Sequence, residues 1–369
     1  ASDILHYLAE YKQYGVRTFQ AEDEIAGITS AIGASFAGNI AVTATSGPGV
    51  ALKGEALGLA IATELPLVLI NVQRGGPSTG LPTKTEQSDL NQAMFGRNGE
   101  SPLVVLAAAT PSDCFDMAYE SCRIALKYMI PVILLSDGYI ANGSEPWKIP
   151  DINSLLDIET TLTKEKEGYL PFNHNSKTLA RPWALPGTPA LEHRVGGLEK
   201  WDVTGHVSYD PDNHHKMVEL RQKKVDIIAN DIPKVKPFGN SQGDVLVIGW
   251  GGTHGAIRSA VESAQALGHN VSHLHLRYLN PLPKNLGDIL LKYQRILIPE
   301  LNLGQLSMMV RSKFLIDTAS LNKVHGKPFN SNDIFITRER HRQHLEQCLS
   351  HLENFKEKKS SSDFDKAAE

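Results

Sequence analysis

The sequence predicts an α/β fold: a doubly wound parallel sheet followed by a second, smaller α/β unit. Short, nearly continuous apolar runs alternate with helical patterns as far as Asp137, as expected for strands that are covered on both faces. The same alternation resumes after a long stretch rich in proline and aromatic residues. With 369 residues, the chain is long enough for two domains with buried cores.

Residues 1–150 are predicted to form the first domain, whose strands are short β-branched or leucine-rich runs. Its predicted strands are Val16–Phe19, Ile40–Thr43, Leu67–Val72, Leu103–Ala107 and Val132–Leu135. Its predicted helices are Ile25–Phe36, Ala51–Ala62 and Pro111–Met129, preceded by one that opens at Ser2. Because an α/β domain normally places a strand before such a helix, we expect the chain to begin inside the domain, without a secretory signal.

Three further segments follow the first domain. Residues 151–240 are predicted to be a mostly irregular connector that ends in a helix at Asp212–Asn230. Residues 241–350 are predicted to form the smaller α/β unit, and residues 351–369 a polar, frayed tail. The smaller unit is predicted to contain the helix Ala256–Leu267 and the strands Asp244–Trp250, Val271–Leu276 and Arg295–Glu300.

Composition argues against several classes of protein. A net charge of −4 and a pI near 6.4 give no sign of a nucleic-acid or anionic-membrane surface. No apolar run is long enough to span a bilayer. The three cysteines, Cys114, Cys122 and Cys348, form no CxxC pair and cannot ligate a four-cysteine cluster, so we expect reduced thiols in a cytoplasmic protein. The adjacent His214 and His215 lack metal-ligand spacing, and no metal site is predicted on this chain.

Glu24 stands at the turn where a strand-like run becomes a helix of small residues, and Thr45-Ser46-Gly47-Pro48-Gly49 follows the next predicted strand. This pairing suits the pyrimidine half of thiamine diphosphate, which needs an acid at a ring nitrogen and glycines that let the backbone come close. Glu22 and Asp23 are nearby alternatives, but Glu24 leads into the predicted apolar stripe of the helix, Ile25, Ile28 and Ile32. The competing interpretation is a surface carboxylate favoured by the helix dipole.

Two glycine-containing turns fall short of known nucleotide motifs. In Gly249–Gly255 the third glycine comes one residue late for a dinucleotide-binding turn, and the next strand ends at Arg277 without an acid for a ribose. We therefore expect a tight strand–turn–helix junction in which His254 is structural. Ser136-Asp137-Gly138 lacks the first glycine of the Gly-Asp-Gly stretch that binds the magnesium and diphosphate of thiamine diphosphate, and Asn142 follows too soon.

Several blocks, in order, resemble the α subunit of 2-oxoacid:ferredoxin oxidoreductases, above all the 2-oxoglutarate branch. They are Glu24–Ser35, Thr43–Gly49, Gln73–Lys84, Arg181–Trp183, Pro186–Thr188, Gly205–His206, Asn213–His214, Trp250–Thr253 and Glu300–Leu306. The resemblance extends to about Asp333 and implies a thiamine diphosphate-binding-fold pyrimidine domain followed by a transketolase C-terminal-like α/β domain. The family's Tyr-Pro-Ile-Thr-Pro turn, which precedes the residues corresponding to Ser2-Asp3-Ile4-Leu5, is absent from this sequence.

The resemblance also implies roles for particular residues. It places the Glu24 carboxyl against the aminopyrimidine nitrogen, and adds as cofactor-binding residues Thr45, Ser46 and Gly47. Arg74 matches the arginine that holds the substrate's 1-carboxylate, a contact that suits a guanidinium at a strand end. A rim arginine in a salt bridge is the alternative. Candidates for the distal carboxylate of a substrate of 2-oxoglutarate size are Ser78, Thr83 and Lys84.

The implied reaction is oxidative decarboxylation of 2-oxoglutarate with CoA to succinyl-CoA and CO2, with electrons passing to ferredoxin. The missing motifs imply a β subunit that carries Mg2+, the diphosphate half of the site and a [4Fe-4S] cluster, in a dimer of αβ heterodimers. The alternatives are the same chemistry on pyruvate or a branched-chain 2-oxoacid, a non-catalytic scaffold subunit, and a nucleotide-binding module.

Overall fold

Two sheets organise the chain, which a computed structural model describes from residue 2 to 324 except for residues 159, 161 and 165. Cys348 and the predicted tail lie outside the described residues. The strands of the described part are β1 (Val42–Thr45), β2 (Leu67–Gln73), β3 (Val104–Ala107), β4 (Pro131–Asp137), β5 (Gly243–Trp250), β6 (Val271–Leu276), β7 (Tyr278–Asn280), β8 (Tyr293–Glu300) and β9 (Ala319–Asn322). The first sheet has the strand order β1-β2-β4-β3-β7 and the second the order β6-β5-β8-β9.

All pairings are parallel except that of β7, which runs antiparallel to β3 at the end of the first sheet. The predicted α/β fold with parallel sheets is therefore confirmed. The helices connect and cover these strands. They are α1 (Ser2–Leu8), α2 (Glu24–Phe36), α3 (Gly47–Leu52), α4 (Gly54–Thr63), α5 (Leu90–Phe95), α6 (Asp113–Tyr128), α7 (Gly138–Asn142), α8 (Pro211–Ile228), α9 (His254–Ala266), α10 (Leu286–Leu290) and α11 (Gln305–Phe314).

The centre of the first sheet is apolar on both faces. Along β2, Leu67 and Leu69 join the core that contains α2 and α4, whereas Val68 joins the core beneath α6. Each strand residue points to the face opposite its neighbour's, so a strand that is covered twice needs apolar residues at nearly every position. This arrangement explains the continuous apolar runs in the sequence.

The prediction of a strand at Val16–Phe19 was wrong. This segment is irregular, and Phe19 is 68% exposed. A strand is held by hydrogen bonds to a neighbour, and none of the described strands pairs with these residues. The predicted helix Ala51–Ala62 is in fact two helices, α3 and α4, which meet at Lys53.

Hydrogen bonds fasten the second sheet to the first. The Gln87 side chain donates to the Trp250 carbonyl (2.6 Å) and accepts from the Leu301 amide (3.1 Å). The Asn302 side chain donates back to the Gln87 carbonyl (2.8 Å). Gln87 is fully buried, so these bonds stand in for the water that its amide would otherwise bind. The network fixes the second sheet against the segment that follows β2.

The segment between the two sheets is mostly irregular, as predicted. Among its described residues up to Asp210, the only helical turn is the 3-10 turn Ile152–Ser154. The segment then enters α8, where the Asp210 carboxylate accepts from the Asn213 amide (2.8 Å) and so caps the helix. Among the described residues, none of the helices has the length and apolar character needed to cross a membrane.

Candidate cofactor and substrate site

Of the three neighbouring acids at the start of α2, the structure distinguishes Glu24. Glu22 is exposed, and the Asp23 carboxylate caps the helix by accepting from the Ala26 amide (2.7 Å). Glu24 is half-buried and lies in the first helical turn. Its neighbour Ile25 is 50% exposed, so Ile25 does not belong to the buried stripe of this helix.

The Glu24 side chain meets the glycine-rich turn Thr45–Gly49, which runs from the last residue of β1 into the first turn of α3. A Cβ at Gly49 would stand 2.9 Å from Glu24 Cγ and 3.0 Å from its Oε1, and would overlap Thr45 Oγ1. A methyl group therefore has no room at this point, and the glycine is what lets turn and carboxyl come together. The structure thus brings together Glu24 and Thr45, two residues that the sequence predicted to share a site.

A second acid, Asp89, contacts the same turn and was missed by the sequence reasoning. A Cβ at Gly47 would lie 2.8 Å from Asp89 Oδ2, and the Asn71 side chain donates to that oxygen (3.0 Å). Burial raises the pKa of Asp89 above its usual range. Asn71 Oδ1 is buried and has no hydrogen-bond partner among the described residues. An asparagine inside the apolar run of β2 was the available signal.

Arg74 immediately follows β2 and is half-buried. Its Nε is buried and has no hydrogen-bond partner in the described part of the chain. A buried, unsatisfied guanidinium nitrogen is unfavourable, and in a folded protein such a group usually has a partner, which can be an ordered water or a bound molecule. A carboxylate of a bound molecule would supply one.

The loop after Arg74 folds back on itself. The Gly75 amide donates to the Lys84 carbonyl (2.9 Å), and the Leu81 amide donates to the Gly75 carbonyl (2.8 Å). Lys84 is consequently held next to Gly75, the residue that follows Arg74, and is half-buried. Ser78 and Thr83 are exposed and have positive φ angles of 54° and 58°. The fold of the loop thus places Lys84 against Gly75, the residue after Arg74. Ser78 and Thr83 remain exposed.

Glu86, which the sequence reasoning missed, anchors the base of this loop. It is buried, and its Oε2 accepts from the Gly76 amide (3.3 Å) and the Ser88 hydroxyl (2.8 Å). A Cβ at Gly75 would lie 3.1 Å from Glu86 Oε1. Glu86 thus holds the loop at Gly75 and Gly76, the two residues that follow Arg74.

Asp137 is fully engaged in a structural role. Its carboxylate accepts from the amides of Tyr139 (2.8 Å) and Ile140 (3.1 Å) and so caps α7. It also accepts from the Gly252 amide (3.0 Å) in the second unit. A Cβ at Gly252 would approach Asp137 Oδ2 to 2.5 Å, so this glycine lets the two units meet. The Gly249–Gly255 segment is accordingly a strand–turn–helix junction from β5 to α9.

These residues fit the pyrimidine half of thiamine diphosphate. The half-buried Glu24 carboxyl faces a turn that cannot accept even a methyl group at Gly49, next to Thr45. Such a site offers an acid at a fixed position and a backbone that can approach a ring closely. In residues 2–324, apart from the three undescribed positions, no group of three or more His, Cys, Asp or Glu side chains is arranged to hold a metal ion.

Comparisons with known proteins agree with this interpretation. The sequence profile of the family described as pyruvate flavodoxin/ferredoxin oxidoreductase, thiamine diphosphate-binding, matches residues 1–209. The chain is 56% identical over 335 residues to the 2-oxoglutarate oxidoreductase subunit KorA of Mycobacterium tuberculosis, covering 90% of this chain and 51% of that protein. It is 33% identical over 310 residues to the 2-oxoglutarate synthase subunit KorA of Archaeoglobus fulgidus, covering 83% of this chain and 81% of that protein.

A solved structure is also similar. It is the 2-oxoglutarate:ferredoxin oxidoreductase of Magnetococcus marinus with 2-oxoglutarate, coenzyme A and succinyl-CoA bound, with a TM-score of 0.83 and 34% identity over 94% of this chain and 60% of that chain. The chain spans about half the length of several curated relatives that it matches. The family match, the identity to relatives and the shared architecture confirm the resemblance: the chain belongs to the 2-oxoacid:ferredoxin oxidoreductase α-subunit family and carries its thiamine diphosphate-binding domain.

Proposed function

We propose that this chain is the α subunit of a thiamine-dependent 2-oxoglutarate:ferredoxin oxidoreductase, which converts 2-oxoglutarate and CoA to succinyl-CoA and CO2 and passes electrons to ferredoxin. The observation that carries the proposal is the contact of the Glu24 side chain with the Thr45–Gly49 turn, where Gly49 leaves no room for a methyl group. The relatives named for 2-oxoglutarate support the choice of substrate.

Glu24 is the proposed catalytic acid. Its carboxyl would hold the aminopyrimidine ring through a hydrogen bond, flanked by Thr45, Ser46 and Gly47. Bound thiamine diphosphate would supply the carbon nucleophile and electron sink that decarboxylation requires. The fixed helix start lets Glu24 keep one proton at a defined atom, which is the contribution that a general acid–base group makes.

Arg74 is the proposed anchor of the substrate's 1-carboxylate. Its guanidinium has a buried nitrogen without a partner among the described residues, and a planar fork matches a carboxylate through two parallel hydrogen bonds. Lys84 is held beside the start of this loop and is the proposed contact for the distal carboxylate. Ser78 and Thr83 would join it only if the exposed part of the loop closes over the substrate.

The remaining parts of the active site are proposed to lie on a β subunit: Mg2+, the diphosphate contacts and a [4Fe-4S] cluster, in a dimer of αβ heterodimers. Two observations support this division. The Asp137 carboxylate is already engaged by three backbone amides. Burial raises the pKa of the Cys114 and Cys122 thiols to about 11, which disfavours the thiolate form that binds iron. Free thiols also favour a cytoplasmic location.

We also propose that the chain divides as its sequence pattern indicates. The thiamine pyrimidine-binding domain would comprise residues 1–150, the connector residues 151–240 and the smaller α/β domain residues 241–350. The chain positions of β1–β4 and of α8 support these limits, and β7 is the one named strand of the third segment that joins the first sheet.

The test is to purify the complex through a tag on this chain and to compare the Glu24→Gln variant with Glu22→Gln, whose side chain is exposed. Glu24→Gln is expected to assemble normally and to lose at least about 100-fold of its oxoacid-dependent dye reduction, as removal of a general acid–base group does. Glu22→Gln should behave as wild type. Substantial activity in Glu24→Gln would contradict the catalytic role and favour a scaffold subunit.

The choice of substrate needs a second measurement on the same complex. The ratio kcat/KM is compared for 2-oxoglutarate, pyruvate and a branched-chain 2-oxoacid. A preference for 2-oxoglutarate that falls in Lys84→Met would support the proposed contact with the distal carboxylate. A wild-type preference for pyruvate would overturn the substrate assignment while leaving the role of Glu24 intact.

A further inference from the structure

Lys53 is an enclosed lysine at the junction between α3 and α4. Only 2% of the residue is exposed, and lysine is almost never buried to this extent unless its ammonium group has partners. Burial lowers the pKa of Lys53, and the charges of Glu24 and Asp23 oppose that shift. A lysine kept in such an unfavourable place needs a structural or functional reason.

The hydrogen bonds of Lys53 lead directly to the proposed catalytic acid. Its Nζ donates to the main-chain oxygen of Glu24 (3.1 Å) and to the hydroxyl of Thr43 on β1 (2.9 Å). A Cβ at Gly27 would lie 3.4 Å from the same nitrogen. The ammonium therefore lies between the first turn of α2 and strand β1.

This position connects the elements that form the pyrimidine site. Glu24 belongs to α2, whereas Gly49 belongs to α3, the helix that Lys53 follows. Lys53 spans from the end of α3 back to Glu24, so its bonds fix the spacing of the two groups that meet at Gly49. Its positive charge lies close enough to attract the Glu24 carboxylate, and such an attraction is strong where water is excluded.

We propose that Lys53 is a positioning residue for Glu24. Its two hydrogen bonds hold the start of α2 at the distance from the Thr45–Gly49 turn that recognition of the pyrimidine requires. This inference rests on the proposed function of Glu24. It concerns a side chain that touches neither the substrate nor the cofactor.

The test uses the purified complex and measures the affinity for thiamine diphosphate by titration calorimetry, together with the melting temperature. Lys53→Met keeps the length of the side chain and removes the ammonium. We expect it to bind the cofactor about 10- to 100-fold more weakly, by analogy with the loss of an outer-shell orienting partner at metal sites. Lys53→Arg keeps a charged donor at this position and should recover part of the affinity. If the lysine only stabilised the fold, Lys53→Met would lower the melting temperature but leave the affinity of the folded complex unchanged.

A second variant keeps the inference testable if Lys53→Met does not fold. Thr43→Val removes one acceptor of the ammonium, preserves the shape of the side chain and leaves the charge in place. It should weaken cofactor binding about 3- to 10-fold, the loss expected for one hydrogen bond. Wild-type affinity in Thr43→Val together with an unfolded Lys53→Met would overturn the positioning role.

Failure of this inference can be told apart from failure of the proposed function. If Glu24→Gln abolishes turnover but Lys53→Met binds the cofactor with wild-type affinity, the positioning role is wrong and the site assignment stands. If Glu24→Gln binds the cofactor and turns over as wild type, the assignment of Glu24 is wrong, and the role of Lys53 fails with it.

Discussion

Glu64 and Lys224 form an ion pair that is closed to solvent, each side chain being only 2% exposed. The pair joins the end of α4 to α8, and the His174 ring binds the same carboxylate (2.9 Å). Burial alone would raise the pKa of Glu64, but the Lys224 ammonium and His174 outweigh it and hold that pKa well below its usual range. Buried charge thereby fastens the connector, through His174 and α8, to the end of α4.

Removal of one partner of this pair should be strongly destabilising. Lys224→Met leaves the Glu64 carboxylate enclosed without its cation, and we expect the free energy of unfolding to fall by about 3–5 kcal/mol. Urea denaturation of the purified chain measures this change. Lys223→Met is the matched control, because Lys223 is the exposed neighbour, and it should change stability by less than about 0.5 kcal/mol. A double variant, Glu64→Leu with Lys224→Met, should recover part of the lost stability, because it leaves no unpaired carboxylate at Glu64. Equal stability of Lys224→Met and Lys223→Met would contradict this account.

Gly49→Ala should disturb the proposed cofactor site without unfolding the chain. The added methyl would overlap Thr45 Oγ1 and lie 2.9 Å from Glu24 Cγ, so the Glu24 side chain must move. We expect thiamine diphosphate affinity to fall by at least about 10-fold, since displacement of a positioned group is costly. Gly33→Ala is the control, because a Cβ there meets nothing within 4 Å and alanine favours a helix by up to about 1 kcal/mol. Equal affinities in the two variants would show that Gly49 is not at the cofactor.

Arg74→Lys should separate charge from shape at the proposed substrate site. Lysine keeps the positive charge but cannot form the two parallel hydrogen bonds of a guanidinium. We expect KM for 2-oxoglutarate to rise by about 10-fold or more, while kcat changes less, because uniform binding is lost. Steady-state kinetics of the complex provide the measurement, with Arg17→Lys as the control at an exposed arginine. An unchanged KM in Arg74→Lys would remove Arg74 from the site.

Three histidines meet between β6 and the first turn of α9. The ring of His254 lies 4.8 Å from that of His275 and 5.5 Å from that of His273, between centroids. Both ring nitrogens of His273 and of His275 are buried and have no hydrogen-bond partner among the described residues. Burial lowers the pKa of His273 to about 3 and that of His275 well below its usual range, and the positive charge of Arg258 adds to both shifts. The cluster is therefore neutral at pH 7.

This cluster predicts a loss of stability in acid. The unfolded chain protonates its histidines near pH 6.5, whereas the folded chain resists protonation of His273 and His275. Their contribution is thus complete above about pH 6.5 and is lost as the pH falls. In urea denaturation between pH 7 and 4.5, His273→Phe should lose stability less steeply than wild type, by up to about 1.4 kcal/mol per pH unit. His215→Phe, at an exposed histidine, should retain the wild-type slope. If His273→Phe retains it as well, burial of His273 does not contribute to the loss of stability in acid.

The local sequence pattern predicted strands well where both faces of the strand are buried. The strands predicted at Leu67–Val72 and Val271–Leu276 were found to within one residue at each end, because apolar side chains on both faces leave little choice of structure. The Glu24 carboxyl and the glycine-rich turn were also brought together as predicted. The specific roles given to these residues came from the family resemblance, and they stay predictions.

The features that sequence reasoning missed depend on partners far along the chain. Nothing near Lys224 in sequence reveals that Glu64, 160 residues earlier, will neutralise it. The break between α3 and α4 was missed because the pattern continues through Lys53, whose enclosure depends on Thr43 and on the main chain of Glu24. Asp89 likewise reaches the Thr45–Gly49 turn only through the folding of the segment after β2.

The antiparallel strand β7 limits which fragments of this protein can fold on their own. It comes from the second half of the chain yet completes the first sheet, with Asn280 opposite Val105 on β3. A fragment that ended at residue 240 would keep four strands of the first sheet but expose the edge of β3, where every residue is buried in the whole chain. Unpaired apolar edges seed aggregation. We therefore expect the two halves to fold as one cooperative unit, even though the sequence pattern divides them into two.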